Sequence, residues 1–280
     1  MLFDKKIDFM LVCEVVNANP NGDPLNGNMP RTDNNGYGEI SDVCIKRKIR
    51  NRFHDMGEEI FVKSNERIDD GMNSLEARFE NKFGKIEKGN DYYLDSCKNW
   101  LDVRTFGQVL TFQKLSTGIR GPVSITLAKS LDTVNITSMQ ITRSTNGQKS
   151  DSKGSDTMGT KHFVNYGVYL IKGSINSFFA EKSEYTLEDA DKLKEALRTL
   201  FVNDVSSARP EGSMRVRKLY WIKHDSKIGN ISTAMIHNML DINRNSEMPT
   251  QYSDYSIELN KEMNADLKKL GVKVEEIEGL

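Results

Sequence analysis

"IDFMLVCEVV" (residues 7–16) is apolar throughout except at Asp8 and Glu14, and it is rich in β-branched residues. A continuous apolar run of this length reads as a buried strand, because a half-exposed strand would alternate polar and apolar positions. It leads into "NANPNGDPLNGNMPRTDNNGYG" (17–38), which holds seven Asn, four Gly and three of the chain's six Pro. Connections usually run about 4–6 residues, and those beyond about 12–15 are uncommon unless functional or disordered. The Asn, Gly and Pro content suits tight turns and left-handed backbone positions. The segment is therefore either a working surface or slack.

Beyond it, "SDVCIKRKIRNRF" (41–53) has the pattern of a helix, with Ser41 as N-cap and Asp42 favourable in the first turn. Ile45, Ile49, Phe53 and Met56 share an apolar arc of about 80°. That arrangement predicts Lys46, Arg47 and Arg50 on the flank and back of the helix, pointing outward. Residues 43–52 carry Lys46, Arg47, Lys48, Arg50 and Arg52 with no acid among them.

Further along, "NSLEARFENKF" (73–83) and "YYLDSCKNWLDVRTFGQVL" (92–110) look helical. Together with the polar "GKIEKGND" between them they interrupt a compact strand–helix–strand unit, so the region 57–110 reads as an insertion. Strand propensity returns at the ends of 121–142 and in "HFVNYGVYLIKGSI" (162–175). Between these lies "TRSTNGQKSDSKGSDT" (142–157), without one apolar side chain. It is either a disordered loop or the tip of a long hairpin whose flanks carry Arg143, Lys161 and His162.

"TLEDADKLKEALRTLFVN" (186–203) predicts a helix capped by Thr186, with Asp189 in the capping-box position and Ala190, Leu193, Leu197, Leu200 and Phe201 as its buried stripe. "SARPEGS" (207–213) then turns the chain into the strand "MRVRKLYWIKH" (214–224), with Arg215 and Arg217 on one face. The tail beyond 230 has no clear pattern. With the insertions set aside, the order is strand, helix, strand, strand, helix, strand. That is the β-α-β-β-α-β order of α+β ferredoxin-like and RNA-recognition folds, which host many functions.

The chain has 280 residues, 37% apolar and 28% charged, with net charge −1. A neutral total with a local basic cluster permits a specific polyanion groove and disfavours indiscriminate coating of nucleic acid. No run of about 18 apolar residues exists, so no membrane span is expected. Cys13, Cys44 and Cys97 lack C-x-x-C spacing and read as reduced thiols of a cytoplasmic protein. Catalytic and cofactor motifs fail in turn. "GSDTMGTKH" (154–162) has the glycine spacing of a phosphate loop but Thr160 where lysine is needed. Asn17, Asn19, Asn21 and Gly22 imitate a calcium loop, yet the first and twelfth positions are the neutral Asn17 and Asn28. His54, His162, His224 and His237 have no paired ligand spacing, so neither metal nor cofactor is expected.

Taken whole, "NPNGDPLNGNMPRTDNNGYGEISDVCIKRKIRN" (19–51) resembles the crRNA-binding backbone subunit of type I CRISPR Cascade complexes, and most closely the type I-C form. "DVRTFGQVL" (102–110), "GPVSITLAKSLD" (121–132), "MGTKHFVNYGVY" (158–169) and "SARPEGSMRVRKLYWIKH" (207–224) agree, so the likeness covers about residues 1 to 225. It implies one RRM-like palm over residues 1–280, with fingers inserted at about 57–110 and a β-hairpin thumb at about 140–162. Residues 230–280 would be a C-terminal extension.

It also implies a non-enzymatic subunit that polymerises head to tail along guide RNA. Such a subunit works beside other Cascade subunits and leaves bases free to pair with target DNA. By the same resemblance Asn19, Asn21 and Arg31 approach the guide. Ser41, Lys46, Arg47 and Arg50 grip phosphates, Arg143, Lys161 and His162 stand at the thumb's base, and Arg209 lies near the guide. The alternative is the metal-dependent ribonuclease activity of type III relatives, using Asp33 or Asp23.

Overall fold

A computed structural model describes residues 1–86, 89–112, 115–142 and 158–280. The architecture is mixed α+β on one large antiparallel sheet. The sheet strands are β1 (Ile7–Ala18), β2 (Tyr37–Ile40), β3 (Val123–Ile125), β4 (Ala128–Thr133), β5 (Ile136–Thr142), β6 (Met158–Ile175), β7 (Met214–Lys223) and β8 (Lys273–Glu278). Their order is β8-β7-β1-β6-β4-β2, while β3 and β5 pair with other stretches of β6. The helices are α1 (Asp42–Asp55), α2 (Leu75–Phe83), α3 (Tyr93–Asn99), α4 (Leu101–Phe106), α5 (Ser177–Ser183), α6 (Leu187–Arg198), α7 (Thr233–Ile236) and α8 (Lys261–Lys269). None is long and apolar enough to cross a membrane.

The unbroken apolar run of β1 has a simple cause: both of its faces are covered. Phe9, Leu11, Cys13 and Val15 pack with Ile45, Ile49 and Phe53 of α1 and with Ala190, Leu193 and Leu197 of α6. Met10 and Val12 turn the other way. They join Val168, Tyr220 and Ile222 under Ile236, Met239, Tyr255, Ile257, Leu267 and Val272. The patternless tail is thus a cover for the sheet's second face, and β8 extends the sheet beside β7. Asp8, one of the two interruptions in the apolar run, is fully buried. Its carboxylate accepts from His224 Nε2 at 2.9 Å and Thr233 Oγ1 at 3.0 Å, fastening the covering unit to β1.

Local signals place the helix starts. Ser41 caps α1 through Cys44 N, and Thr186 caps α6 in a capping box with Asp189. Two helix ends differ from expectation. The helix foreseen over 92–110 breaks at Trp100 and stops at Phe106, where Gly107 has φ +78°. Gly107–Phe112 is instead a strand paired with Leu115–Arg120, and a Cβ on Gly107 would stand 2.2 Å from Ile119 O. Helix α6 ends at Arg198 rather than 203: Thr199 Oγ1 donates to Glu195 O and accepts from Arg52 Nε, and Asn203 has φ +58°.

Residues 61–119 hold an apolar cluster of their own, from Phe61, Phe79 and Trp100 to Leu110 and Ile119. Asp102 ties it to α1. Fully buried, it accepts from Phe61 N at 2.8 Å, Val62 N at 3.1 Å and Arg50 Nε at 3.0 Å. Asp102→Ala strands those donors, and breaking a buried pair from one side typically destabilises by about 3–5 kcal/mol. At roughly 2–4 °C per kcal/mol for a chain of this size, thermal melting is expected to fall by about 10 °C. An unchanged midpoint would mean that this tie contributes nothing to the cooperative unit.

Beyond the sheet, residues 158–163 of β6 pair only with β5, from Met158↔Thr142 to Phe163↔Thr137. This makes a two-stranded ribbon standing clear of the core, with Met139, Ile141 and Met158 exposed. The segment 143–157, Arg143 included, lies outside the described residues.

Candidate functional site

At one end of the sheet, β1 delivers the Asn/Gly segment beside the start of α1, the turn at 206–213 and the root of the ribbon. The segment is not slack. Gly22–Asp23 pairs with Met29–Pro30, and Tyr37–Ile40 joins the sheet edge on β4. Asn17 and Asn28 take positive φ, a conformation that Asn tolerates better than bulky residues. Gly38 lies over the Tyr169 ring, where a Cβ would meet the hydroxyl at 2.2 Å.

Five of the foreseen contact residues, Asn19, Asn21, Ser41, Arg47 and Arg50, are held by bonds within the protein. Asn19 is buried, and its Nδ2 donates to Asn28 O at 2.7 Å. Asn21 Oδ1 accepts from both Ser41 N and Ser41 Oγ at 2.8 Å, locking the segment to the helix cap. Asn19 N donates to Ala208 O, and Val16 N to Ser213 O, which seats the 206–213 turn alongside. The outward placement of Arg47 and Arg50 is corrected. Arg47 Nη1 donates to Val62 O at 2.6 Å, while Arg50 is bonded to Asp102 and lies 5.1 Å over the Phe106 ring. The inserted lobe sits on the helix's basic flank and takes these donors.

The remaining cations are partly free. Arg31 keeps a long 3.3 Å pair with Asp23, its side chain is 38% exposed, and its buried Nε has no hydrogen-bond partner among the described residues. Lys46 leans on Asp42 at 3.0 Å. Asp204 is shared by Lys48 and by Arg209 Nε, so one carboxylate serves two cations. Burial pulls the Lys48 ammonium below its ordinary pKa, with Asp204 opposing that shift. On the ribbon, His162 Nδ1 lies 2.7 Å from Ser138 Oγ, and Lys161 has no acid partner among the described residues.

The two aspartates considered for cleavage are both engaged. Asp33 accepts from Asn35 N, Tyr37 N and Lys129 Nζ at 2.9, 3.0 and 2.8 Å, and the lysine hydrogen bond holds its carboxyl below the usual range. Asp23 caps Leu25 N and pairs with Arg31. Among the described residues no cluster of three or more His, Cys, Asp or Glu could hold a metal ion. Lys129 was not foreseen as a member of this surface, nor Lys48 as a buried partner of Asp204. Their partners lie 96 and 156 positions away, and no local signal marks them.

A family model described as CRISPR-associated protein Cas7 matches residues 5–260. A protein of that description from Haloferax volcanii is 24% identical over 268 residues, covering 85% of this chain and 76% of the relative. Among solved structures, a chain of a CRISPR RNA-guided surveillance complex superposes with TM-score 0.51 at 17% identity, covering 95% of this chain and 83% of that one. A chain of a pre-nicking surveillance complex gives 0.50 at 14%, covering 78% of each. At such identities the structural likeness concerns the fold alone.

Proposed function

This chain belongs to the Cas7 family of CRISPR-associated proteins, and from that premise we propose that it is a backbone subunit of an RNA-guided surveillance complex, of the type I-C form. It binds guide RNA without cutting it, lines up head to tail with further copies and presents the guide for pairing with target DNA in the cytoplasm. In this reading the sheet with α1 and α6 is an RRM-like palm. The order β7-β1-β6-β4 suits the split β-α-β arrangement of that fold. The lobe around Phe61–Ile119 supplies the fingers, and the β5–β6 ribbon supplies the thumb.

The carrying observation is the convergence, at one end of the sheet, of the Asn/Gly segment, the α1 cap, the 206–213 turn and the ribbon root. Arg31, Lys46, Arg209 and Lys161 are the side chains assigned to the RNA backbone, with His162 beside them and Arg143 retained from the sequence. Asn19, Asn21 and Ser41 shape the cradle, and Arg47 and Arg50 stiffen the helix behind it. Asp33 has both carboxylate oxygens occupied and Asp23 has one, which speaks against metal-dependent cleavage.

Purification with and without the cognate guide tests the reading through the ratio of absorbance at 260 and 280 nm, which should rise with the guide. For single strands, log K falls with log salt by about 0.7 per phosphate contact. Arg31→Ala with Lys46→Ala is therefore expected to flatten that slope by roughly one to one and a half units, whatever the RNA sequence. A slope unchanged in a folded variant removes this end of the sheet from the interface.

A further inference from the structure

We propose that Arg215 and Arg217 form a second anion site, for the phosphodiester backbone of a polynucleotide strand, on the sheet face away from α1. The proposal rests on the function given above and extends it to residues that the cradle does not use.

Glu14, the second interruption of the apolar β1 run, is only 3% exposed, yet two guanidinium groups converge on it. Arg215 Nε donates to Glu14 Oε2 at 2.6 Å, and Arg217 donates to the same oxygen through Nε at 3.0 Å and Nη2 at 2.8 Å. Tyr166 Oη completes the carboxylate by donating to Oε1 at 3.2 Å. Arg217 is further fixed beneath the Tyr252 ring, 4.6 Å from its centroid.

One carboxylate cannot neutralise two guanidinium groups, so the cluster keeps a net positive charge. Arg215 is held by its inner Nε alone, with its side chain 51% exposed, and its outer N–H fork has no protein acceptor among the described residues. A second anion would complete the arrangement, and a planar fork with two parallel N–H groups matches phosphate oxygens. A buried carboxylate is also an expensive way to fill a sheet face that an apolar residue would cover as well. Its effect here is to aim two arginines in one direction.

The position is continuous with the cradle. Glu14 lies on β1 three residues before Asn17, and Val16 N donates to Ser213 O at 2.8 Å, so Arg215 follows directly on the 206–213 turn. A strand leaving that turn passes over Arg215.

The phosphodiester could belong to the guide or to the paired target strand, so binding is measured for guide RNA alone and for guide paired with complementary DNA. Arg215→Ala is expected to lower the salt slope by about 0.7 on the arm whose phosphate it contacts, in a variant that circular dichroism shows to be folded, Glu14 keeping its bonds to Arg217 and Tyr166. Arg215→Lys should retain most of the slope, and the remote Lys269→Ala should retain all of it. A change already seen with guide alone assigns the site to the guide, and a change confined to the paired arm assigns it to the target strand. Unchanged slopes on both arms, with wild type binding normally, overturn the proposal. A wild-type chain that binds no RNA overturns the proposed function itself, and that result is distinct because it precedes any variant.

Discussion

A chain ended after Asn230 is expected to give aggregated, dye-binding protein rather than a cooperative fold. The removed residues cover Met10, Val12, Val168, Tyr220 and Ile222, which form the inner layer of the second core. Keeping a large apolar side chain from water contributes about 1.5–3 kcal/mol, so these five positions together represent on the order of 10 kcal/mol. That is comparable with the whole stability of an ordinary domain, about 5–15 kcal/mol. The same truncation deprives Asp8 of Thr233 and exposes the β7 edge now paired with β8. An unpaired apolar edge is itself a template for association. Size-exclusion chromatography, thermal melting and hydrophobic-dye binding read the outcome. A soluble 1–230 fragment with one sharp transition would mean that the second face tolerates water and that the C-terminal unit is an appendage.

Replacing residues 143–157 with a short Gly-Ser linker is expected to leave folding intact and to abolish cooperative assembly on RNA. The segment contains only one large apolar-stemmed class of residue, its two lysines and one arginine, so no core is lost with it. Loop-closure entropy changes by only about 0.6 kcal/mol per doubling of length, and melting should move little. The ribbon root, Ile136–Thr142 against Met158–Val164, remains in place. On the proposed function, what disappears is the reach from one copy to the RNA held by the next. RNA binding should become weak and non-cooperative, and electron microscopy should show no ordered filament. Ordered filaments from this variant would move the clamp elsewhere, with the inserted lobe as the next candidate.

The elements legible in the sequence are those whose signals lie within a few residues of one another. The apolar run of β1, the Ser41 cap, the Thr186–Asp189 box and the placing of Arg215 and Arg217 on one strand face all follow from local spacing. The Asn/Gly segment announced itself by composition and length. What each polar side chain of that segment does was not legible. Asn19 and Asn21 look alike in sequence to free hydrogen-bonding groups, and only the turn of the chain shows them spent on Asn28 and Ser41.

The basic helix makes the same point more sharply. Its apolar stripe could be drawn at 100° per residue, but the direction of a long arginine is set by whichever acceptor the tertiary fold brings within reach. For Arg50 that acceptor is Asp102, 52 residues away, and for Lys48 it is Asp204, 156 residues away. The tail beyond 230 was unreadable for a related reason. Its short strands and helices have weak patterns of their own, and they are ordered by the apolar face of β1, β6 and β7 on which they close. Local spacing determined β1, α1 and α6; tertiary packing decided the strand at 107–112 and the elements of the tail. Long-range burial decided which charges remain free to meet a polyanion.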